Sequence, residues 1–124
     1  MDQNTVSWFE IPVADMQRAV KFYNTILNVK IKIQDFGGVK MGWFPSASGA
    51  YGATGSLIQH ETYTPSHEGT LVYLTSKDVE NELGRIESAG GKILKPKTMI
   101  SEEHGYMALF EDTEGNRVAL YSQK

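Results

Sequence analysis

Two residues near the N-terminus have side chains that can do chemistry, at a spacing that places them together. Residues 6–13 (VSWFEIPV) are rich in β-branched and aromatic residues, which predicts a β-strand. Alternate side chains of a strand share a face, so Trp8 and Glu10 point to the same side. Glu10 is therefore the candidate catalytic residue, as a general base, or a group that holds a ligand amine or hydroxyl. The alternative for Glu10 is a structural ion pair with Arg117.

A second group of candidates lies in two segments of the C-terminal half. The stretch EDTEGNRVALYS (111–122) predicts a strand end, a tight turn at Gly115 and a returning strand. A further strand is predicted over residues 70–75. In each of these strands, alternate side chains point to one face, and those on one face are mostly polar or aromatic. In the last strand this face also includes Ala119. The candidates on these two faces are Tyr73, Thr75, Arg117 and Tyr121.

Two more aromatic residues complete the candidate set. Trp43 lies in a predicted strand, and Tyr51 lies in the loop rich in Gly, Ser and Ala that follows it. Aromatic rings with indole or hydroxyl donors suit planar, partly apolar ligands, whereas the alternative is ordinary packing of the core. The candidate ligand-binding residues are thus Trp8, Glu10, Trp43, Tyr51, Tyr73, Thr75, Arg117 and Tyr121.

Cysteine and histidine content limits the remaining chemistry. The chain contains no cysteine, which excludes disulfides, thiolate metal sites and cysteine nucleophiles. Its three histidines, His60, His67 and His104, lie in separate segments. We expect them to be exposed, solvated imidazoles rather than members of one metal site.

Charge and hydropathy exclude several classes of partner. The 124 residues suffice for one domain, and the net charge of −3 comes without a basic stripe that could meet nucleic acid. No apolar run approaches the roughly 20 residues that a membrane-spanning helix needs. No signal peptide is visible, so the sequence predicts a soluble, cytoplasmic protein with no nucleic-acid or membrane partner.

The order of predicted elements repeats once along the chain. Each half contains a strand, a helix that begins after a capping aspartate (Asp15 or Asp78) and three further strands. The strands are predicted over residues 6–13, 29–33, 39–44, 56–60, 70–75, 92–94, 106–110 and the last arm of the C-terminal hairpin. The pattern predicts a single α+β domain over 1–124 with two βαβββ modules, at about 5–60 and about 69–122.

The expected assembly of these modules is a cupped mixed sheet with the helices outside. The concave face of such a sheet is a natural place for a small ligand. The alternative is a generic α+β domain that has no cavity.

Three stretches resemble a known family. They are FEIPVADMQRAVKFYNTIL (9–27), VYLTSKDVENELGRIESAGGKIL (72–94) and FEDTEGNRVALYS (110–122). In order and spacing they are similar to the module openings and the closing hairpin of the vicinal oxygen chelate superfamily, above all its glyoxalase-like, bleomycin-resistance-like branch. The resemblance implies a cup made of paired modules, small-molecule ligands and a homodimer. It leaves open whether modules pair within one chain or between two.

The resemblance also implies where a metal ion would lie. Enzymes of the superfamily hold a divalent metal with His, Glu or Gln from four strands. The corresponding positions here are Trp8, Leu71 and Ala119, together with Ser56 or, by another alignment, Gln59 or His60. Tryptophan, leucine and alanine offer no oxygen or imidazole donor to a hard cation. The resemblance therefore predicts no metal cofactor, with a divalent metal as the less favoured alternative.

Three hypotheses of function follow. The first is a glyoxalase-like protein that lacks the family metal site and binds a small organic molecule in the cup. The second is a lyase, isomerase or hydrolase that uses Glu10 as general base or a rearranged metal site of Glu10, Gln59 or His60. The third is a non-catalytic dimeric interaction module.

Overall fold

A computed structural model describes residues 2–124 and contains ten regular elements. The first module consists of β1 (Glu10–Pro12), α1 (Met16–Leu27), β2 (Lys32–Phe36), β3 (Val39–Trp43) and β4 (Ser56–Gln59). The second consists of β5 (Tyr73–Thr75), α2 (Val79–Ile86), β6 (Lys92–Ser101), β7 (Gly105–Glu111) and β8 (Arg117–Ser122). The predicted order of one strand, one helix and three strands, repeated once, is confirmed.

The eight strands form two four-stranded mixed sheets. Their orders are β1-β4-β3-β2 and β5-β8-β7-β6, so the modules have the same topology. The first strand of each module runs parallel to the last, and the remaining pairs are antiparallel. The predicted α+β class with two βαβββ modules is confirmed. Within residues 2–124 no strand of one sheet pairs with a strand of the other.

Both helices begin at the aspartates that the sequence predicts as caps. The Asp15 carboxylate accepts a hydrogen bond from the amide of Arg18 (3.1 Å), and that of Asp78 from the amide of Glu80 (3.0 Å). These bonds satisfy amides that a helix start leaves without a partner. None of the helices within residues 2–124 is long and apolar enough to cross a bilayer.

One hydrophobic core joins the two modules. Helix α1 packs against α2, and each helix covers one face of its own sheet. The ring of Tyr23 lies edge-on to Phe44 of the first module and Phe110 of the second, at centroid distances of 5.9 and 6.3 Å. Because the helices occupy the shared side of the sheets, the opposite face of each sheet is left open.

The turn between β7 and β8 fastens the second module to the first. Glu114 accepts hydrogen bonds from the amides of Ala14 and Asp15 (2.9 and 2.8 Å) and from Nε of Arg18 (2.7 Å). The predicted tight turn is confirmed, with Gly115 at a φ of 92° that favours glycine. The sequence pattern identified the turn but not this contact, which joins residues about 100 positions apart.

Four strands differ by three or more residues from their predicted extents. β2 covers Lys32–Phe36 rather than residues 29–33, and β5 begins at Tyr73 rather than at residue 70. β1 has three residues, so Trp8 precedes it rather than lying within it. β6 has ten residues, whereas the sequence predicts only residues 92–94. Its lysines and Pro96 concealed the longer strand, since proline is tolerated only at an edge, and β6 is an edge strand with shifted register against β7.

Candidate ligand-binding faces

The open face of the first sheet is defined by its register. Glu10 of β1 lies beside Ser56 of β4, and Ser56 lies beside Trp43 of β3. Leu57 belongs to the hydrophobic core, so its neighbours Ser56 and Ile58 point to the other side. Ile58 is 3 % exposed but lies outside the core cluster, which agrees with that direction. We call this surface face A, and its members are Trp8, Glu10, Phe36, Trp43, Ser56 and Ile58.

Three aromatic rings cluster on face A. Trp8 and Trp43 meet edge to face, with centroids 5.2 Å apart and planes at 66°. Phe36 stacks on Trp43 at 6.2 Å and 29°. Both indoles keep 37 % of their surface exposed, although apolar rings of this size usually enter a core. The cluster is an apolar surface that packing within the described residues leaves partly exposed.

Glu10 is exposed at the edge of face A, and its neighbour is a phenol. The pKa of Tyr63 is raised, chiefly by the negative charge of Glu10. Desolvation of the phenol and its hydrogen bond to the Glu10 carboxylate raise it further. Tyr63 comes from the loop between the modules, where no sequence pattern marked it. The alternative ion pair with Arg117 does not form within residues 2–124, where the ion pairs do not include one between Glu10 and Arg117. The two residues lie on different sheets.

Ser56 carries an unpaired hydroxyl between these groups. It is fully buried, and within residues 2–124 its Oγ is the one buried side-chain polar atom without a hydrogen-bond partner. Leaving such a group unsatisfied costs stability, so its retention needs a reason such as an absent partner. From the sequence alone, Ser56 is a candidate only for a metal position.

The open face of the second sheet gathers four of the candidates. Tyr73 lies beside Ala119, and Thr75 lies beside Tyr121. Ala119 is fully buried yet lies outside the core cluster, as expected for a small residue in the middle of this face. Arg117 lies opposite Glu111 on the neighbouring strand. We call this surface face B, and its members are Tyr73, Thr75, Leu109, Glu111, Arg117, Ala119 and Tyr121.

Tyr51 is on neither face. It lies in the loop before β4 and is 93 % exposed. The structure therefore brings together Trp8, Glu10 and Trp43 on face A and the four C-terminal candidates on face B, and it separates Tyr51 from both.

The groups that could have formed a rearranged metal site are kept apart. Gln59 points to the side opposite Glu10, and its Oε1 accepts a hydrogen bond from the amide of Met16 (2.8 Å). His60 Nδ1 lies 2.8 Å from the Thr62 hydroxyl. Within residues 2–124 no three His, Cys, Asp or Glu side chains form a group that could hold a metal ion.

The other histidines have structural partners rather than only solvent. His67 Nε2 lies 2.7 Å from Glu111 Oε1, which corrects the expectation that it is simply solvated. His104 Nδ1 lies 2.9 Å from the Ser101 hydroxyl and closes the turn between β6 and β7. Neither reaches a second histidine or a shared metal position.

A depression of about 560 Å³ borders Tyr63 at the far end of β1. Its wall includes Lys40, His60 and Glu61. The amides at the adjacent start of α1 are already bound by Gln59, Glu114 and Asp15, so they are not free for an anion. Trp8, Trp43 and Phe36 of face A are not part of its wall.

A pair of βαβββ modules, each with one open sheet face, is a defined class of fold. The chain belongs to the Glyoxalase/Bleomycin resistance protein/Dioxygenase superfamily, whose family model matches residues 5–120. A glyoxylase-like domain-containing protein of Didymella fabae is 27 % identical over 118 residues, which cover 93 % of this chain and 91 % of that protein.

Solved structures show the same fold. TnmS3, an antibiotic binding protein from Streptomyces sp. CB03234, is 25 % identical, with a TM-score of 0.68 over 100 % of this chain and 99 % of its own. A glyoxalase/bleomycin resistance protein of Albidiferax ferrireducens has a TM-score of 0.70 at 16 % identity, covering 98 % of this chain and all of its own. Glyoxalase I of Zea mays has a TM-score of 0.67 at 20 % identity over 94 % of this chain, which spans 45 % of the maize chain.

Proposed function

We propose that this protein binds a small organic molecule between a face A and a face B, without a metal ion. The observation that carries the proposal is the exposed ring cluster of Trp8, Trp43 and Phe36 beside the Glu10 carboxylate. Contiguous exposed apolar surface with a few polar groups is typical of a binding site. The similarity to an antibiotic binding protein along the whole chain supports binding rather than a purely structural role.

The two faces come from two chains in this proposal. Within one chain the sheets share a core on their helix side and do not pair with each other. β1 and β5 are edge strands whose outer edges carry unpaired backbone groups, and such edges readily add a further strand. A homodimer would set β1 of one chain beside β5 of the other, so that face A and face B form one cup.

The donors on the faces do not fit the family metal. Of the positions that the resemblance assigns, Trp8, Leu71 and Ala119 provide no suitable donor and Ser56 provides one hydroxyl. Glu10 adds a single carboxylate in the same register row as Ser56. Two oxygen donors are fewer than a divalent cation needs, so we assign no step to a metal.

A ligand screen with matched variants tests the proposal. Protein purified without chelator should contain no stoichiometric Mn, Ni, Fe or Zn, and a planar aromatic compound should raise its melting temperature. A ligand at about 100 times its Kd adds about 2.7 kcal/mol of stability. Trp8→Ala should abolish the shift, whereas Tyr51→Ala, which removes a ring from neither face, should keep it. Stoichiometric metal that Glu10→Ala removes would contradict the proposal.

Sedimentation equilibrium tests the dimer separately. We expect a mass of two chains at micromolar concentration. A monomer that still bound the ligand would contradict the shared cup while leaving binding to face A in place.

A further inference from the structure

We propose that the ligand group bound on face A is a positively charged nitrogen, as in an alkylammonium or quaternary ammonium compound. The inference rests on the proposed function and specifies the chemistry of its ligand. It follows from three features of face A, which are a carboxylate without an ion-pair partner, two partly exposed indoles and a hydroxyl without a hydrogen-bond partner.

Within residues 2–124 the carboxylate of Glu10 has no cationic partner. The ion pairs formed within residues 2–124 do not include Glu10. The basic residue in its register row is Lys32, which follows Ser56 and Trp43 along the row. Three strand spacings put Lys32 about 14 Å away, beyond the reach of an ion pair. The neighbouring group, Tyr63, is a phenol and leaves the negative charge in place.

The indole rings next to this carboxylate attract the same kind of group. The face of a tryptophan ring binds cations more strongly than that of any other side chain, and ammonium ligands are recognised in this way. The two tryptophans meet at 66°, so their planes form two walls of a corner rather than one flat surface. Within residues 2–124 the side-chain cation that lies over an aromatic ring is Lys97, above Tyr106 in the second module. No cation of the described chain occupies the indoles.

The Ser56 hydroxyl adds a hydrogen-bond acceptor to the same row. It lies between Glu10 and Trp43 in register, and no partner within the described chain uses it. An N–H of a primary ammonium could donate to it once the covering side chains shift. The carboxylate, the hydroxyl oxygen and the ring faces can all accept a positively charged group, and none of the three carries a positive charge that would balance an anion.

Face B carries charges of both signs. In the register Glu111 lies between Arg117 and Lys92, its carboxylate is bonded to His67, and the ion pairs formed within residues 2–124 do not include Arg117. In the proposed dimer Arg117 is therefore the group that competes with a cationic ligand for Glu10, and the affinities for charged probes distinguish the two.

A charge series on one scaffold tests the inference. The probes are 2-phenylethylamine, 2-phenylethanol and 3-phenylpropanoate, which have similar size and carry positive, neutral and negative charge at pH 7. The chain has two tryptophans, both on face A, so fluorescence excited at 295 nm reports on this face alone. We expect the amine to bind at least tenfold more tightly than the alcohol, and the carboxylate more weakly still.

Matched variants separate charge from fold. Glu10→Gln keeps the shape of the side chain and should reduce the affinity for the amine at least tenfold while leaving that for the alcohol unchanged. Glu87→Gln makes the same change of net charge at the exposed end of α2 and should leave all three affinities unchanged. Melting curves check that both variants fold.

Each outcome separates this inference from the proposed function. Equal affinities for the three probes, all signalled by tryptophan, would overturn the cationic ligand and leave the binding face intact. Tighter binding of the carboxylate would overturn it too, and would point to Arg117 of the second chain beside Glu10. No tryptophan response and no shift in melting with any probe would overturn both.

Discussion

Face A and face B occupy the same place in two modules of the same topology, yet they present different chemistry. Ser56 and Ala119 are equivalent, since each lies on the strand next to the module's first strand and both are fully buried. Their neighbours differ, because Glu10 lies beside Ser56 and Tyr73 lies beside Ala119. Face A thus has an unpaired hydroxyl and a carboxylate where face B has a methyl group and a phenol.

The two faces differ in how many of their polar groups have a partner within the chain. On face B, Glu111 is bonded to His67 and lies beside Arg117 in the register, and Ala119 has no polar atom to pair. Within residues 2–124, face A has a carboxylate without an ion-pair partner, a buried hydroxyl without a hydrogen-bond partner and a cluster of three exposed rings. A buried polar group without a partner lowers the stability of the protein, and such groups are typical of ligand-binding sites.

The largest effect is expected when each face in turn loses one exposed ring. Trp43→Ala should weaken binding of a face A ligand at least tenfold, because both its stacking surface and the support of Trp8 are lost. Tyr73→Ala, on the exposed part of face B, should weaken it by about threefold or less. Isothermal titration measures both. Equal losses would remove the distinction between the faces.

The next effect concerns the hydroxyl that distinguishes the two buried positions. Ala119→Ser places an unpaired hydroxyl in face B and should lower the free energy of unfolding by about 2 kcal/mol. The reciprocal Ser56→Ala should raise it by about 1 kcal/mol, while weakening the ligand that uses the hydroxyl. Urea unfolding measures each change. A Ser56→Ala variant that lost stability would show that the hydroxyl already has a partner in solution.

The contact between the modules is made by Glu114 of the second module, and it predicts that stability depends on pH in the acid range. Burial by itself would raise the pKa of Glu114, but hydrogen bonds from Arg18, Thr113 and the amides of Asp15 and Ala14 outweigh it, so the pKa is lowered. This contribution is present above the unfolded value of about 4.3 and is lost as pH falls through the folded value. Glu114→Gln should lower stability at pH 7 by about 2 kcal/mol and should remove this part of the acid dependence. Melting temperatures at pH 3 to 7 provide the check, and an unchanged profile in the variant would contradict the role of this carboxylate.

The smallest effect is expected at Tyr63, which lies beside the carboxylate of face A. Tyr63→Phe removes the hydroxyl and should change stability by less than about 0.5 kcal/mol, because the side chain is exposed. It should also make Glu10 more available, so that the amine probe binds slightly more tightly. A loss of amine binding would instead show that the phenol is part of the recognition.

The sequence predicts the fold because its local signals agree with one another. Asp15 and Asp78 cap helices with clear apolar stripes, and Gly115 closes the last turn as the pattern indicates. The sequence predicts too short a β6 because lysines and a proline occupy it. These residues are tolerated there because β6 lies at the edge of its sheet. The strand period also predicts that Trp8 shares a side with Glu10, and that Tyr73 shares one with Thr75.

The remaining parts of the site depend on contacts that join distant segments. Tyr63 lies in a loop without periodicity, and only the path of that loop brings it to Glu10. Ser56 Oγ has no hydrogen-bond partner because of the side chains that surround it in the fold, and a sequence does not show which side chains those are. Tyr51 is of the same residue type as other aromatic candidates, but it lies in an exposed loop outside both sheets.

The most direct test of a ligand site on face A is a two-dimensional ¹⁵N NMR titration with 2-phenylethylamine. The two tryptophans give two indole N–H signals, and both belong to face A. The account predicts that both signals move, together with the amide of Glu10, while the amide of Glu87 on α2 stays in place. Movement confined to other amides, with both indole signals unchanged at saturation, would contradict it.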